Sequence, residues 1–274
     1  MDDTIFSSSD SSEQIPEKIS NFDVSQAASS QPYQLTVKRC FLALFIMYAS
    51  QTLVGLVFSY GLRFIQGAGD GLGTIDIQMI GMVSVLLGGA ITLLWVWTDI
   101  SQFGPSFLPQ IGLQQSVIKT NQSVMLVFLL FSATHFLAWT YRSVILPLVG
   151  QDGIIGGALQ MFAHIRETGS VLGMAGFLVL ALIVGPVMEE VIFRGYLQSA
   201  FARRLPEWGA ISITSLLFMA GHNPTILWPM YFIYSITWGW IFMQTRSLKM
   251  AIAIHMLSNL FYTVVAVMGW KILA

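Results

Sequence analysis

Seven long apolar runs, joined by short polar stretches, leave this chain few folds to adopt. They cover residues 40–62, 77–97, 124–139, 171–188, 209–221, 225–245 and 250–270. Most approach the roughly 20 helical residues that cross a hydrocarbon core about 30 Å thick. Inside lipid, only helices and closed barrels satisfy every backbone N–H and C=O. A barrel strand alternates with period two, whereas these runs are apolar on all sides. The expected fold is therefore all-α, a polytopic transmembrane helix bundle of about seven to eight spans. The eighth would come from 146–168, where Gly153, Gly156 and Gly157 precede a weakly amphipathic stretch. An outer loop, an interfacial helix and a re-entrant turn are the other readings of that segment. Only 10% of residues are charged, against about 25% in a soluble domain. A soluble enzyme and a wholly disordered chain are thereby excluded. The net charge of −1 supplies no basic field for phosphate backbones, so no nucleic-acid partner is expected.

The amino-terminal part differs in kind. Six of the fourteen acids (Asp2, Asp3, Asp10, Glu13, Glu17, Asp23) and nine serines fall within the first 30 residues. Such a segment cannot bury enough apolar surface to offset its ordering entropy. Residues 1–35 are read as a disordered, acidic, Ser-rich cytoplasmic tail and 36–274 as the transmembrane domain. The tail does not resemble a signal peptide, because its start is acidic and no apolar stretch precedes Cys40. With the tail inside and seven alternating crossings, nine Lys and Arg residues lie inside and four, including Arg142, lie outside. That asymmetry favours a cytoplasmic amino terminus. The compact size and lack of organelle signals point to a bacterial plasma membrane. The single cysteine, Cys40, excludes an intramolecular disulfide and a cysteine-based zinc site. It reads as a packed thiol, with acylation the alternative. Trp95, Trp97, Trp139, Trp208, Trp228 and Trp270 lie near run ends, as an interfacial belt requires. Trp238 and Trp240 lie deeper and read as packing residues.

Few ionisable residues remain at membrane depth: His135, Glu189, Glu190, Arg194, His222 and His255. A charge there costs about 2.5–3.5 kcal/mol on insertion scales, so such residues mark a site by default. Glu190 and Arg194 are four apart and share a helix face. Glu189 points about 100° away, and one arginine leaves one of the two carboxylates without a local partner. His255 and Asn259 repeat the four-residue spacing, as do Phe218 and His222. Three helices thus each offer an inward polar group. Counting inward from the turn at 203–208 puts Glu189 and His222 level, roughly 21–22 Å deep. Counted from Lys249, His255 is shallower by roughly 13 Å, a gap that closes if that hairpin projects about two turns outward.

These residues resemble a known family. Glu189-Glu190-Val191-Ile192-Phe193-Arg194-Gly195 is similar to the EExxxR motif, in its EExxFRG form, of the CAAX-protease and bacteriocin-processing (CPBP, or Abi) intramembrane proteases. Phe218 to His222 resembles that family's FxxxH motif and His255 to Asn259 its HxxxN motif, in the family's order. The resemblance covers residues 171–262, one third of the chain.

It implies hydrolysis of a peptide bond in a membrane-associated peptide or protein by a glutamate-activated water. Glu189 would be the general base and His222 would hold the water. Glu190 with Arg194 would be an orienting ion pair, and His255 and Asn259 would donate to the oxyanion. The alternative for Glu189 is a structural pair, and for Asn259 ordinary helix–helix hydrogen bonding. Phe218 reads as packing under His222, His135 as a satisfied core histidine, and His164 as a loop residue. No cofactor is expected. A zinc site on Glu189, His222 and His255 is the alternative mechanism, and a non-catalytic scaffold or immunity protein the alternative class. A proton-coupled transporter fits less well, since the chain shows no internal repeat. The partners expected are the substrate and the lipid bilayer. Gly169 and Gly173 form a GxxxG that leaves the oligomeric state open.

Overall fold

The computed structural model of the chain describes residues 34–66, 73–114, 116, 120–151 and 153–268. The expected tail up to residue 33, and Trp270, lie outside them. The described residues form a helical bundle. Helix α1 is Val37–Gln66 and α2 Thr74–Phe103, followed by a 3-10 segment Pro105–Ile111. Helix α3 begins with Thr120–Thr140 and continues through a π turn, Tyr141–Ile145, to Leu146–Leu148. Helix α4 is Gly157–Thr168. Helix α5 is Val171–Phe201, with π turns at Leu180–Val184 and Val191–Gln198. Helices α6, α7 and α8 are Glu207–Ala220, Trp228–Thr245 and Leu248–Val267.

Among the described residues, six helices are long and apolar enough to cross a membrane, fewer than the seven or eight expected. The fifth apolar run forms α6, whose 14 residues span only about 21 Å. It is kept in the bundle by one face, with Ala210, Ile211, Thr214, Ser215 and Phe218 buried at helical spacing. The 146–168 segment is not an eighth span. Its α4 is 12 residues long, and Phe162 and Ile165 pack on Met82, Phe177 and Leu180 of α2 and α5. His164 therefore lies on a helix rather than in a loop, 3.6 Å from Glu167 one turn on. Gly169 ends α4 in the left-handed region (φ 64°), and Ser170 caps α5 by accepting the Gly173 N–H at 3.0 Å. The GxxxG glycines accordingly share no helix, Gly169 capping α4 and Gly173 lying in α5.

The second half of α5 is the centre of the bundle. Every side chain from Val191 to Gln198 is buried, while α1 turns Phe45, Leu53, Val57 and Phe64 outward to lipid. Cys40 is fully buried with its Sγ 3.1 Å from the Tyr196 carbonyl, a packed thiol. Asp99, which lies past the second apolar run, is also fully buried. Arg39 pairs with it, and Tyr196 donates to it at 3.1 Å.

Close approach of α1 to α2 depends on Gly88. A Cβ there would stand 2.7 Å from the Gln51 backbone, and Ser50 Oγ lies 2.9 Å from the Gly88 carbonyl. Small residues at such a crossing replace the hydrophobic drive that lipid removes. Gly88→Ala is expected to destabilise the protein by about 1–3 kcal/mol through overpacking, measured as a lowered thermal midpoint in detergent.

Candidate functional site

A proline shapes the helix that carries both glutamates. In α5, Pro186 has no N–H, and the preceding Gly185 N–H reaches back five residues to the Leu180 carbonyl. That π turn leaves the Ala181 carbonyl without its i+5 donor, because position 186 is proline. Asn259 of α8 fills the gap, its Nδ2 donating to the Ala181 carbonyl at 2.8 Å. This bond ties α8 to α5 one turn before the Gly185–Glu190 segment that carries both glutamates. Asn259→Leu is expected to cost about 1–2 kcal/mol by stranding that carbonyl, read by thermal unfolding in detergent.

Arg194 is the hub of the fixed part of the site. It is fully buried and bonds Glu190 Oε1 at 3.0 Å, the Ser235 carbonyl at 2.9 Å and Ser235 Oγ at 2.8 Å. The rings of Phe218 and Trp238 lie 5.0 and 5.5 Å from its guanidinium. One cation thus holds α5, α6 and α7. Glu190 Oε1 extends the network to α8 by accepting from His255 Nδ1 at 2.8 Å. The expected Glu190–Arg194 pair is present, and the same carboxylate also orients a histidine. With Nδ1 donating, the neutral ring presents Nε2 as an acceptor. Trp238 stacks on this ring with centroids 3.8 Å apart and planes 18° apart, which blocks rotation.

Glu189 occupies a different environment. Its side chain is 22% exposed against 0% for Glu190, and its Oε2 lies 3.8 Å from His255 Nε2. That gap exceeds a hydrogen bond. His222 lies just past the end of α6 rather than within a helix. Its Nδ1 donates to the Phe218 carbonyl at 2.7 Å, and its ring stacks on Phe218. Phe218 thus packs beneath His222 as expected, and both histidines leave Nε2 as the acceptor.

Glu189, His222, His255 and Asn259 line one cavity of about 390 Å³. Glu190 and Arg194 stand behind it, fully buried. Since Glu189 and His255 meet at 3.8 Å, the depth difference counted from Lys249 does not persist. His135 lies apart from these residues, its Nδ1 2.8 Å from the Phe131 carbonyl, in an aromatic cage. Among the described residues no three His, Cys, Asp or Glu side chains are grouped closely enough to hold a metal ion.

Sequence reasoning did not identify Ser235 or Arg142 as site residues. Ser235 carries no charge, and the Arg194 contact that reveals it spans 41 residues. Arg142 was counted on the outer side, past the third apolar run, yet it lies within the span Val124–Leu148 and lines the cavity. Trp238, read as packing, packs on the site histidine itself.

Fold and site together define a polytopic helical membrane protein with a paired-glutamate, two-histidine centre. Residues 171–261, about a third of the chain, match the family described as Rce1-like, type II CAAX prenyl endopeptidase. A relative in Staphylococcus aureus (strain USA300), the membrane-embedded CAAX protease MroQ, is 32% identical over 94 residues. The alignment covers 32% of this chain and 38% of that relative. No solved structure matches the chain.

Proposed function

We propose that the protein is an intramembrane endopeptidase that hydrolyses a peptide bond of a membrane-associated peptide or protein with a water activated by Glu189. The observation that carries this reading is the 3.8 Å gap between Glu189 Oε2 and His255 Nε2 inside the cavity. Two acceptors at that separation each reach one water at about 2.8 Å. The water donates a proton to each, so its lone pairs are left for a scissile carbonyl. Glu189 takes a proton as the oxygen attacks, and that proton then passes to the leaving amine. Glu190 keeps His255 in the Nδ1–H tautomer throughout, and His222 Nε2, on the same cavity wall, is the alternative acceptor to His255 for the water's second proton. Asn259 serves the oxyanion with the second N–H of its amide, the first being engaged at Ala181.

No metal enters this scheme. Retained activity in a strong chelator supports it, whereas loss restored by added zinc selects the zinc reading. The amino terminus is cytoplasmic in this proposal, in a bacterial plasma membrane. Arg203 and Arg246 line a second cavity of about 200 Å³ with Gln110, and Gln110 Oε1 accepts from Leu35 N at the start of α1. These cations gather at the amino-terminal end of the bundle, as the positive-inside rule requires.

The reading is tested by amino-terminal proteomics of cells carrying wild type or Glu189→Gln. Peptides trimmed only in wild type support it. Identical profiles, with partner capture intact in both, select the scaffold.

A further inference from the structure

The cavity has a second polar end that hydrolysis does not use. Arg142 is the one arginine or lysine among the described residues that line it. It lies in the π turn Tyr141–Ile145 of α3, just before Pro147. Tyr231, Tyr234 and Tyr262 line the same cavity and bring three phenol hydroxyls to it. Tyr231, Arg142 and Glu189 all line this cavity, so the cation and the general base face one chamber. Tyr234 and Tyr262 share a hydrogen bond of 2.5 Å. One hydroxyl of that pair donates to the other, which leaves one O–H to donate elsewhere. The guanidinium carries its N–H donors in a planar fork that matches a carboxylate.

An apolar peptide drawn into this chamber brings any carboxylate it carries out of water, at a large cost unless a cation meets it. We propose that Arg142, with the Tyr234–Tyr262 pair, binds a carboxylate of the substrate and thereby sets which peptide bond lies against Glu189. This rests on the hydrolytic reading of the site. The carboxylate belongs either to the peptide's chain terminus or to an Asp or Glu side chain.

The test uses full-length protein in lipid nanodiscs and three fluorescein-labelled apolar peptides of one sequence. These are the free acid, the carboxy-terminal amide, and the amide with one internal Glu. Binding is measured on the Glu189→Gln protein and kcat/KM on wild type. One charged peptide is expected to bind about ten- to a hundredfold more tightly than the neutral amide. Preference for the free acid identifies the chain terminus, and preference for the internal Glu identifies a side chain. Adding Arg142→Gln should bring the ratio to about one, and Arg142→Lys, a point charge without the fork, should keep part of it. Equal binding of all three peptides, absence of binding by any, or an equal loss for all three with Arg142→Gln overturns the proposal. Preferential binding without cleavage by wild type leaves the carboxylate site standing and removes the hydrolytic reading.

Discussion

Glu189→Gln is expected to lower kcat/KM for peptide cleavage by about 10²–10⁴-fold while leaving the fold intact. The substitution keeps size and shape but replaces the carboxylate by a neutral amide, which takes no proton. Glu189 tolerates the change because its side chain faces the cavity and approaches His255 no nearer than 3.8 Å. No bond of the Glu190–Arg194–Ser235 network passes through it. Measured on purified protein in proteoliposomes, the variant should unfold at the wild-type temperature and bind substrate undiminished. Full activity in Glu189→Gln would refute the assignment of the base. A matching loss in the thermal midpoint would show that Glu189 is structural.

Arg194→Met should have the opposite signature, with stability lost first. It removes the partner of a fully buried carboxylate and the donor to Ser235. Breaking a buried pair from one side costs about 3–5 kcal/mol, since the remaining charge is left uncompensated. For a chain of this size that is a drop of roughly 6–20 °C in thermal midpoint. The double variant Glu190→Leu with Arg194→Met removes both charges and should recover part of the loss, because no orphaned ion remains. Thermal unfolding of the four proteins in detergent gives the coupling directly. Strict additivity would show that Arg194 acts through packing on Phe218 and Trp238 alone.

The contrast between these variants follows from the different surroundings of two adjacent glutamates, and that was only partly readable beforehand. The four-residue step from Glu190 to Arg194 announced their pairing, because it is set by the helix period. The convergence of Glu189, His222 and His255 was legible as three motifs in apolar runs. The role of Glu190 as acceptor for His255 was not, since that contact joins residues 65 apart and local spacing carries no trace of it. Pro186 was visible, but that its orphaned carbonyl would be met by Asn259 depends on how α8 docks on α5. Hydropathy also counted spans too generously. It registers that a run is apolar, and 209–221 is apolar because one face packs on α5 and α7, not because it is long enough to cross.

The shortness of α6 has a consequence for the surrounding lipid. A rod of about 21 Å beside a hydrocarbon film of about 30 Å forces the adjoining acyl chains to compress or tilt. Ile213 and Leu216 on its outer side are the residues those chains meet. The leaflet should dimple beside the His222 turn, shortening the path by which bulk solvent reaches a chamber otherwise sealed in oil.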